Sequence, residues 1–280
     1  MYRETSVRTL LAKHAHPSAI PQHDLQLLLA HTLHRSRTWV LAHPEAVLTG
    51  EQAAAFDAAL ARLLAGEPLP YILGHWEFYG LDFLITPDVL IPRPETELIV
   101  ETALRAAGVM QQPKILDVAT GSGCLAVTLA VHLPEAGIVA TDISASALAV
   151  AGANAQKHGV AARVQFIQAD LVPLQPCSLP AFNLLVANLP YIPTPTLLGL
   201  DVYGKEPTLA LDGGLDGLDL IRRLLADASA FLALGGMALL EIEATQGDVA
   251  VALARRHFPT AQVRVLPDLA GLDRLLVIQT

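Results

Sequence analysis

From residue 114 onward, segments with the composition of buried strands alternate with helical segments. Strands that alternate with helices form a mostly parallel, doubly wound sheet with helices on both faces. The link between the last two predicted strands is short, so one of them runs antiparallel. We therefore predict an α/β fold. Hydrophobic patterns and turn residues predict strands over 114–119, 137–143, 162–170, 182–188, 237–243, 261–266 and 273–280, and helices over 122–133, 144–159, 214–232 and 247–258.

The composition is that of a globular protein with a large buried core. Hydrophobic residues make up 52% of the 280, which excludes intrinsic disorder. The longest stretch without a charged side chain, residues 171–200, contains six prolines, so it cannot be a membrane-spanning helix. No secretory signal is visible, and two cysteines are too few for a disulfide framework or a zinc site. We predict a cytoplasmic protein with no membrane segment.

The charge distribution limits the classes of partner. A formal net charge of −9 argues against a protein held to DNA or RNA mainly through phosphate contacts. Six of the ten histidines lie before residue 44, but few carboxylates and no cysteine accompany them, so we predict no metal site. Nothing in the sequence requires more than a monomer.

The first 92 residues differ from the alternating part of the chain. Apolar residues at helical spacing predict helices over 25–33 and 51–64. Strand-like residues around Gly80 predict a β-hairpin that pairs Trp76–Tyr79 with Asp82–Ile85. A helix follows Pro94 and ends at Gly108.

Acidic residues and a glycine-rich turn lie at the ends of the first three predicted strands of the sheet. Ligands of such sheets bind outside the carboxyl ends of the strands. Asp142 is placed to accept hydrogen bonds from the hydroxyls of a ribose, and Asp170 to meet an adenine amino group, with Leu171 against the ring. These positions predict a nucleoside site but leave NAD and S-adenosylmethionine both open. The turn that approaches the ligand consists of Ala119, Thr120, Gly121, Ser122 and Gly123.

The fourth strand ends in Asn188-Leu189-Pro190-Tyr191. The Asn188 side-chain carbonyl and a backbone carbonyl of this turn can accept both hydrogens of a planar NH2 group. The Tyr191 ring can then pack on the flat face of the conjugated group. These features favour methylation of an amide or aromatic amine. In the alternative reading, Asn188 merely caps a turn.

Several separate motifs resemble those of the bacterial release factor glutamine methyltransferases, the HemK/PrmC family. The family uses S-adenosylmethionine to methylate the side-chain amide of the glutamine in the Gly-Gly-Gln motif of peptide chain release factors. The resemblance implies a helical N-terminal substrate-recognition domain over 1–70, a β-hairpin linker over 71–92 and a seven-stranded, Rossmann-like methyltransferase domain over 93–280. The motifs that carry it are PLPYILGHWEFYG (68–80), LIPRPETE (90–97), TGSG (120–123), EPTLALDGGLDGL (206–218), LLEIEATQ (239–246) and DLAGLDR (268–274).

The resemblance also implies roles for individual residues. Residues 119–123, Asp142 and Asn188 would line the cofactor, and Asn188, Leu189, Pro190 and Tyr191 would hold the substrate glutamine. Catalysis would fall to Asn188, Pro190 and Tyr191, and the N-terminal helices would contact the release factor. In LIPRPETE, Arg93, Glu95 and Glu97 either take part in function or pin the hairpin; we favour a mixed role, with Glu95 and Thr96 near the cofactor.

Two departures from the family pattern keep other functions open. Ala119 stands where the family usually has glycine, which is tolerable unless that residue needs a positive φ. Leu189 replaces a proline, and Asn-Leu-Pro-Tyr resembles the motif of ribosomal RNA adenine dimethyltransferases. This motif makes an adenine amino methyltransferase acting on DNA or RNA an alternative. Two alternatives from other classes are an NAD-dependent oxidoreductase that uses Asp142 and a binding module without activity.

Overall fold

The computed structural model describes residues 5–14, 20–173 and 181–280. The chain divides into two compact units, Met1–His75 and Trp76–Thr280. Some residues counted in the sequence analysis lie outside the described residues: one of the six N-terminal histidines (His16), one of the two cysteines (Cys177) and two of the six prolines in 171–200 (Pro176 and Pro180). Within the described part of the chain, no helix combines the length and the hydrophobicity that crossing a membrane requires.

The first unit is mainly helical, as predicted. Helix α4 (Gly50–Leu64) begins with a capping box, in which Thr49 and Gln52 each satisfy a backbone N–H of the other. Two short strands that the sequence did not reveal pair antiparallel. The elements are β1 (Thr5–Ser6), α1 (Val7–Lys13), α2 (Gln22–Leu33), α3 (Arg37–Ala42), β2 (Val47–Leu48), α4 (Gly50–Leu64) and α5 (Leu69–Leu73).

The hairpin consists of β3 (His75–Phe78) and β4 (Leu81–Leu84), so each strand lies one residue earlier than predicted. The reason is the turn: Tyr79 and Gly80 have φ of +51° and +74°. Two central residues with positive φ form the turn that matches the twist of a hairpin. Tyr79 therefore belongs to the turn rather than to a strand.

The second unit contains a seven-stranded sheet in the order β10-β11-β9-β8-β5-β6-β7. Among these strands β11 alone runs opposite to the other six, which confirms the doubly wound α/β fold. The elements after the hairpin are α6 (Glu97–Ala107), β5 (Lys114–Val118), α7 (Cys124–His132), β6 (Gly137–Asp142), α8 (Ala145–Lys157), β7 (Val164–Gln168), β8 (Phe182–Ala187), α9 (Thr194–Leu197), α10 (Asp219–Ala228), β9 (Leu232–Glu241), α11 (Gly247–His257), β10 (Gln262–Pro267) and β11 (Asp273–Gln279).

The largest difference from the sequence prediction lies around α10. This helix was expected over 214–232, but it begins at Asp219 and ends at Ala228. Gly214 and Gly217 have φ of +88° and +78°, which a helix does not allow. At the other end, Leu232 already pairs with Phe182, so β9 begins five residues before the predicted strand over 237–243.

Strand order places the site. Strand β5 lies between β6 and β8, and the chain continues from β5 to β6 on one side but from β8 to β9 on the other, so these two connections run in opposite directions. A crevice opens outside the carboxyl ends of the strands at such a switch point. The carboxyl ends of β5, β6 and β8 carry the glycine-rich turn, Asp142 and Asn188, respectively.

Candidate active site

A cavity of about 430 Å³ lies at this switch point. Most residues predicted for the site line it, whereas Gly123 and Tyr191 do not. Segment 87–96, which leads from the hairpin into α6, forms a further part of its wall. The predicted residues that line the cavity are Ala119, Thr120, Gly121, Ser122, Asp142, Asp170, Leu171, Asn188, Leu189 and Pro190.

Asp142 is fixed at the end of β6 by two backbone donors. The Gly121 N–H donates to its Oδ2 at 2.9 Å, and the Ser144 N–H donates to its Oδ1 at 2.9 Å. Each carboxylate oxygen keeps further capacity to accept a hydrogen bond. At Gly121 an added Cβ would meet no atom within 4 Å, so the turn is open there. A rigid acceptor beside an open backbone fits the ribose of a nucleoside.

Two residues of the glycine-rich turn are constrained by the backbone conformation or by the packing of the turn. Ala119 has a positive φ of +60°, so this alanine occupies a backbone conformation that favours glycine. Gly123 packs against helix α8, because a Cβ at position 123 would lie 3.0 Å from Ala151 Cβ on that helix. The structure thus places Gly123 at a helix contact instead of in the cavity wall.

Asp170 and Leu171 follow the end of β7. Asp170 Oδ2 accepts a hydrogen bond from Arg223 Nη2 at 2.7 Å, and both side chains are about half exposed. Arg223 also lines the cavity, which the sequence did not indicate. Leu171 has φ +64°, and its carbonyl accepts a hydrogen bond from Thr141 Oγ1 at 2.6 Å. The ion pair leaves one oxygen of Asp170 available to a ligand.

Asn188 belongs to a chain of side-chain hydrogen bonds that ends on a buried carboxylate. Its Nδ2 donates to Thr96 Oγ1 at 2.9 Å, and Thr96 Oγ1 donates to Glu241 Oε2 at 2.7 Å. The Tyr191 hydroxyl donates to Glu241 Oε1 at 3.1 Å. Thr96 and Asn188 line the cavity, and Glu241 lies behind them with 1% of its surface exposed. No group of the described residues donates to Asn188 Oδ1.

A segment far along the chain holds the Asn188–Tyr191 loop. The Ile192 N–H donates to the Leu211 carbonyl at 3.1 Å, and the Gly213 N–H donates to the Ile192 carbonyl at 2.9 Å. At Gly217 a Cβ would lie 2.1 Å from the Tyr191 carbonyl oxygen. The DGGLDGL sequence is therefore needed so that its backbone can approach this loop.

Gln246 fixes the other side of the loop. Its Nε2 donates to the Tyr191 carbonyl at 3.0 Å, and its side chain is buried. Leu189 is 1% exposed and packs in the hydrophobic core, so this replacement for a proline adds buried apolar contact. Its carbonyl accepts no hydrogen bond from the described residues.

The LIPRPETE run divides into residues with different contacts. Arg93 forms an ion pair with the buried Glu206, whose Oε2 also accepts the Ile91 N–H at 3.1 Å. Glu97 accepts the Tyr79 N–H at 3.0 Å and so holds the hairpin turn. Arg93 and Thr96 line the cavity, whereas Glu95 is exposed outside its lining.

Burial raises the pKa values of several ionisable groups around the site. Burial raises the pKa of Asp117 to about 7, although Thr120 and Ala126 donate to its Oδ2. Burial also raises the pKa of Glu241, against the hydrogen bonds from Thr96 and Tyr191. Burial and the nearby Glu241 raise the pKa of the Tyr191 hydroxyl, which therefore stays protonated and donating.

Glu241 is a further site residue that sequence reasoning missed. It lies in the LLEIEATQ motif, which pointed to the segment but not to a role for this side chain. The available signal was an acidic residue inside an otherwise apolar strand, since such a residue is buried only with partners.

Known proteins resemble both units. Residues 6–74 match the family model described as the PrmC N-terminal domain, and residues 115–199 match one described as a methyltransferase domain. The release factor glutamine methyltransferase of Moorella thermoacetica is 46% identical over 256 residues, covering 91% of this chain and 89% of that protein. That of Bordetella pertussis is 40% identical over 268 residues, covering 95% and 98%.

Solved structures confirm the fold. The crystal structure of a methyltransferase from Pyrococcus furiosus aligns with a TM-score of 0.53, covering 80% of this chain and 98% of that one. Its sequence identity is 16%, so this likeness concerns the fold alone.

Proposed function

Because this chain belongs to the family of the release factor glutamine methyltransferases, we propose that it methylates the glutamine of the Gly-Gly-Gln motif of a peptide chain release factor. The methyl group comes from S-adenosylmethionine and goes to the side-chain amide nitrogen. The observation that supports this assignment best concerns Asn188, which lines the cavity and whose carbonyl oxygen accepts no hydrogen bond from the described residues.

The residues of the cavity fit the nucleoside part of S-adenosylmethionine. Asp142 would accept hydrogen bonds from the ribose hydroxyls, and Asp170 would accept one from the adenine amino group. The open turn at Gly121 would lie close to the ligand. When bound, S-adenosylmethionine supplies an electrophilic methyl group on a sulfonium.

The chain's own contribution is to hold the substrate amide. Asn188 Oδ1 and the Leu189 carbonyl would each accept one hydrogen of the glutamine NH2, which fixes the plane of the amide and aims the nitrogen at the methyl group. An amide nitrogen is a weak nucleophile because its lone pair is delocalised, so positioning supplies most of the rate. Bound S-adenosylmethionine would supply the methyl group, and the amide nitrogen held by Asn188 and Leu189 would take it with the loss of one proton.

The predicted partner and location follow from this reaction. The N-terminal helical unit would contact the release factor, and the enzyme would act as a monomer in the cytoplasm. The net charge of −9 favours a protein substrate over direct contact with nucleic acid.

One experiment separates this function from adenine methylation. The enzyme is incubated with labelled S-adenosylmethionine and either a release factor or RNA, and the Gly-Gly-Gln peptide is analysed by mass spectrometry. We expect one added methyl group on the glutamine, and no transfer with Asn188→Ala, which should still bind S-adenosylhomocysteine. Label that appears only in RNA would overturn the assignment.

A further inference from the structure

The two ends of the Asn188 amide have opposite hydrogen-bonding properties. Its carbonyl oxygen accepts, and so suits the NH2 of a glutamine side chain; its NH2 donates, and so suits a carboxylate. The two ends have nearly the same shape. Which end faces the cavity therefore decides whether the site prefers glutamine or glutamate.

The hydrogen-bond chain behind Asn188 has only one consistent direction while Glu241 is ionised. A carboxylate accepts and cannot donate, so the single proton of the Thr96 hydroxyl is used on Glu241 Oε2. The Thr96 oxygen can then only accept from Asn188. The NH2 of Asn188 must consequently face Thr96, as the 2.9 Å contact has it, and Oδ1 is left to the cavity.

The Tyr191 hydroxyl completes this arrangement. It donates to Glu241 Oε1, so both carboxylate oxygens accept hydrogen bonds in a place where only 1% of the residue is exposed. A buried carboxylate without partners would be strongly unfavourable. Here the hydrogen bonds to both oxygens offset the cost of burying the charge.

We propose that Thr96 and Glu241 are positioning residues that fix the orientation of the Asn188 amide and thereby make the site select an amide over a carboxylate. This inference rests on the proposed function. Glu241 does not line the cavity and reaches Asn188 through Thr96, which lies at the cavity wall.

The test measures binding rather than turnover. The affinities of a release factor and of its own Gly-Gly-Glu variant are compared by calorimetry, with the enzyme saturated with S-adenosylhomocysteine. We expect the wild type to prefer the glutamine form by at least about tenfold, because the glutamate form would place a charge against two acceptors.

Two variants should allow the Asn188 amide to adopt either orientation. In Glu241→Gln the amide at this position can donate to Thr96 as well as accept from it, and in Thr96→Val the link is lost while the shape is kept. Both should reduce the preference for glutamine to within about threefold, since the side-chain amide of Asn188 can then flip and exchange the positions of its oxygen and its NH2. Thr96→Ser keeps the hydroxyl and should restore the wild-type preference. Glu101→Gln, at an exposed position on α6, is the matched control and should change nothing.

A merely structural role would give a different result. If Glu241→Gln and Thr96→Val weaken both forms of the release factor by the same factor, the proposal is wrong, and equal binding of both forms by the wild type would also overturn it. Melting temperature and S-adenosylhomocysteine affinity show whether each variant is folded; Thr96→Ser keeps a readout if Thr96→Val is not. Absence of methylation by the wild type would instead count against the proposed function.

Discussion

Replacing Ala119 by glycine should stabilise the protein slightly, although alanine-to-glycine changes usually destabilise. At φ +60° a residue with a Cβ is about 1–2 kcal/mol less stable than glycine. Against this gain, glycine adds freedom to the unfolded chain, which costs about 0.4–1 kcal/mol. The half-buried methyl group contributes part of the roughly 0.8 kcal/mol of a buried carbon. The free energy of unfolding should therefore rise by about 0.5 kcal/mol.

The matched control is Ala149→Gly, at an exposed position in the middle of α8. There glycine costs about 1 kcal/mol relative to alanine. Both substitutions change the unfolded chain equally, so the difference between the variants, about 1.5 kcal/mol, reports the native conformations. Both positions lie in the Trp76–Thr280 unit.

The measurement is urea unfolding followed by circular dichroism, with the slope of the transition compared among the three proteins. Unchanged slopes would allow the midpoints to be read as differences in stability. The reasoning fails if Ala119→Gly loses as much stability as Ala149→Gly, because the backbone at position 119 would then carry no strain.

Three further changes test the surroundings of the site. Gly217→Ala should abolish most methyl transfer but not cofactor binding, because the new Cβ would lie 2.1 Å from the Tyr191 carbonyl oxygen and displace the loop; wild-type turnover would contradict this. Glu206→Gln should lower stability in thermal unfolding by about 1–3 kcal/mol, because it removes the charged partner of Arg93 at a buried position; an unchanged melting temperature would count against it. Asp117→Asn should remove a pH-dependent part of the stability of the ligand-free protein. With a pKa of about 7, folded Asp117 keeps a proton that the unfolded chain loses near pH 4, so this stabilisation is complete below pH 4 and is lost, by about 4 kcal/mol, as pH rises through 7. Urea unfolding from pH 4 to 8 checks it, and a constant difference between wild type and variant would refute it.

The sheet could be predicted because its strands are encoded locally. Buried parallel strands are continuous apolar runs, and turn residues separate them from the helices. The prediction was wrong at the start of α10, where Gly214 and Gly217 fold as a loop although the pattern around them is helical. The close approach of Gly217 to Tyr191, 26 positions earlier, determines this local structure, and no local pattern reveals such a contact.

For the site, as for the sheet, the sequence predicted what strand positions determine and missed what long-range contacts determine. Asp142 and Asn188 stand at strand ends, so their presence in one crevice follows from the topology. The role of Glu241 does not follow, because its partner Thr96 lies 145 positions away in the sequence. Tyr191 shows the same limit: its hydroxyl is bound to Glu241, and the ring lies outside the cavity lining.

Three of the sequence motifs that carry the family resemblance meet around the Asn188–Tyr191 loop: LIPRPETE, EPTLALDGGLDGL and LLEIEATQ. Polar contacts that are wholly or partly buried join LIPRPETE to EPTLALDGGLDGL and to LLEIEATQ, and they join LIPRPETE and LLEIEATQ to the Asn188–Tyr191 loop. Motifs that support one loop are expected to depend on one another, so a change in one of them should alter the effect of a change in its partner. The contacts that join them are Arg93 to Glu206, Thr96 to Glu241, Thr96 to Asn188, Tyr191 to Glu241 and Gln246 to the Tyr191 carbonyl.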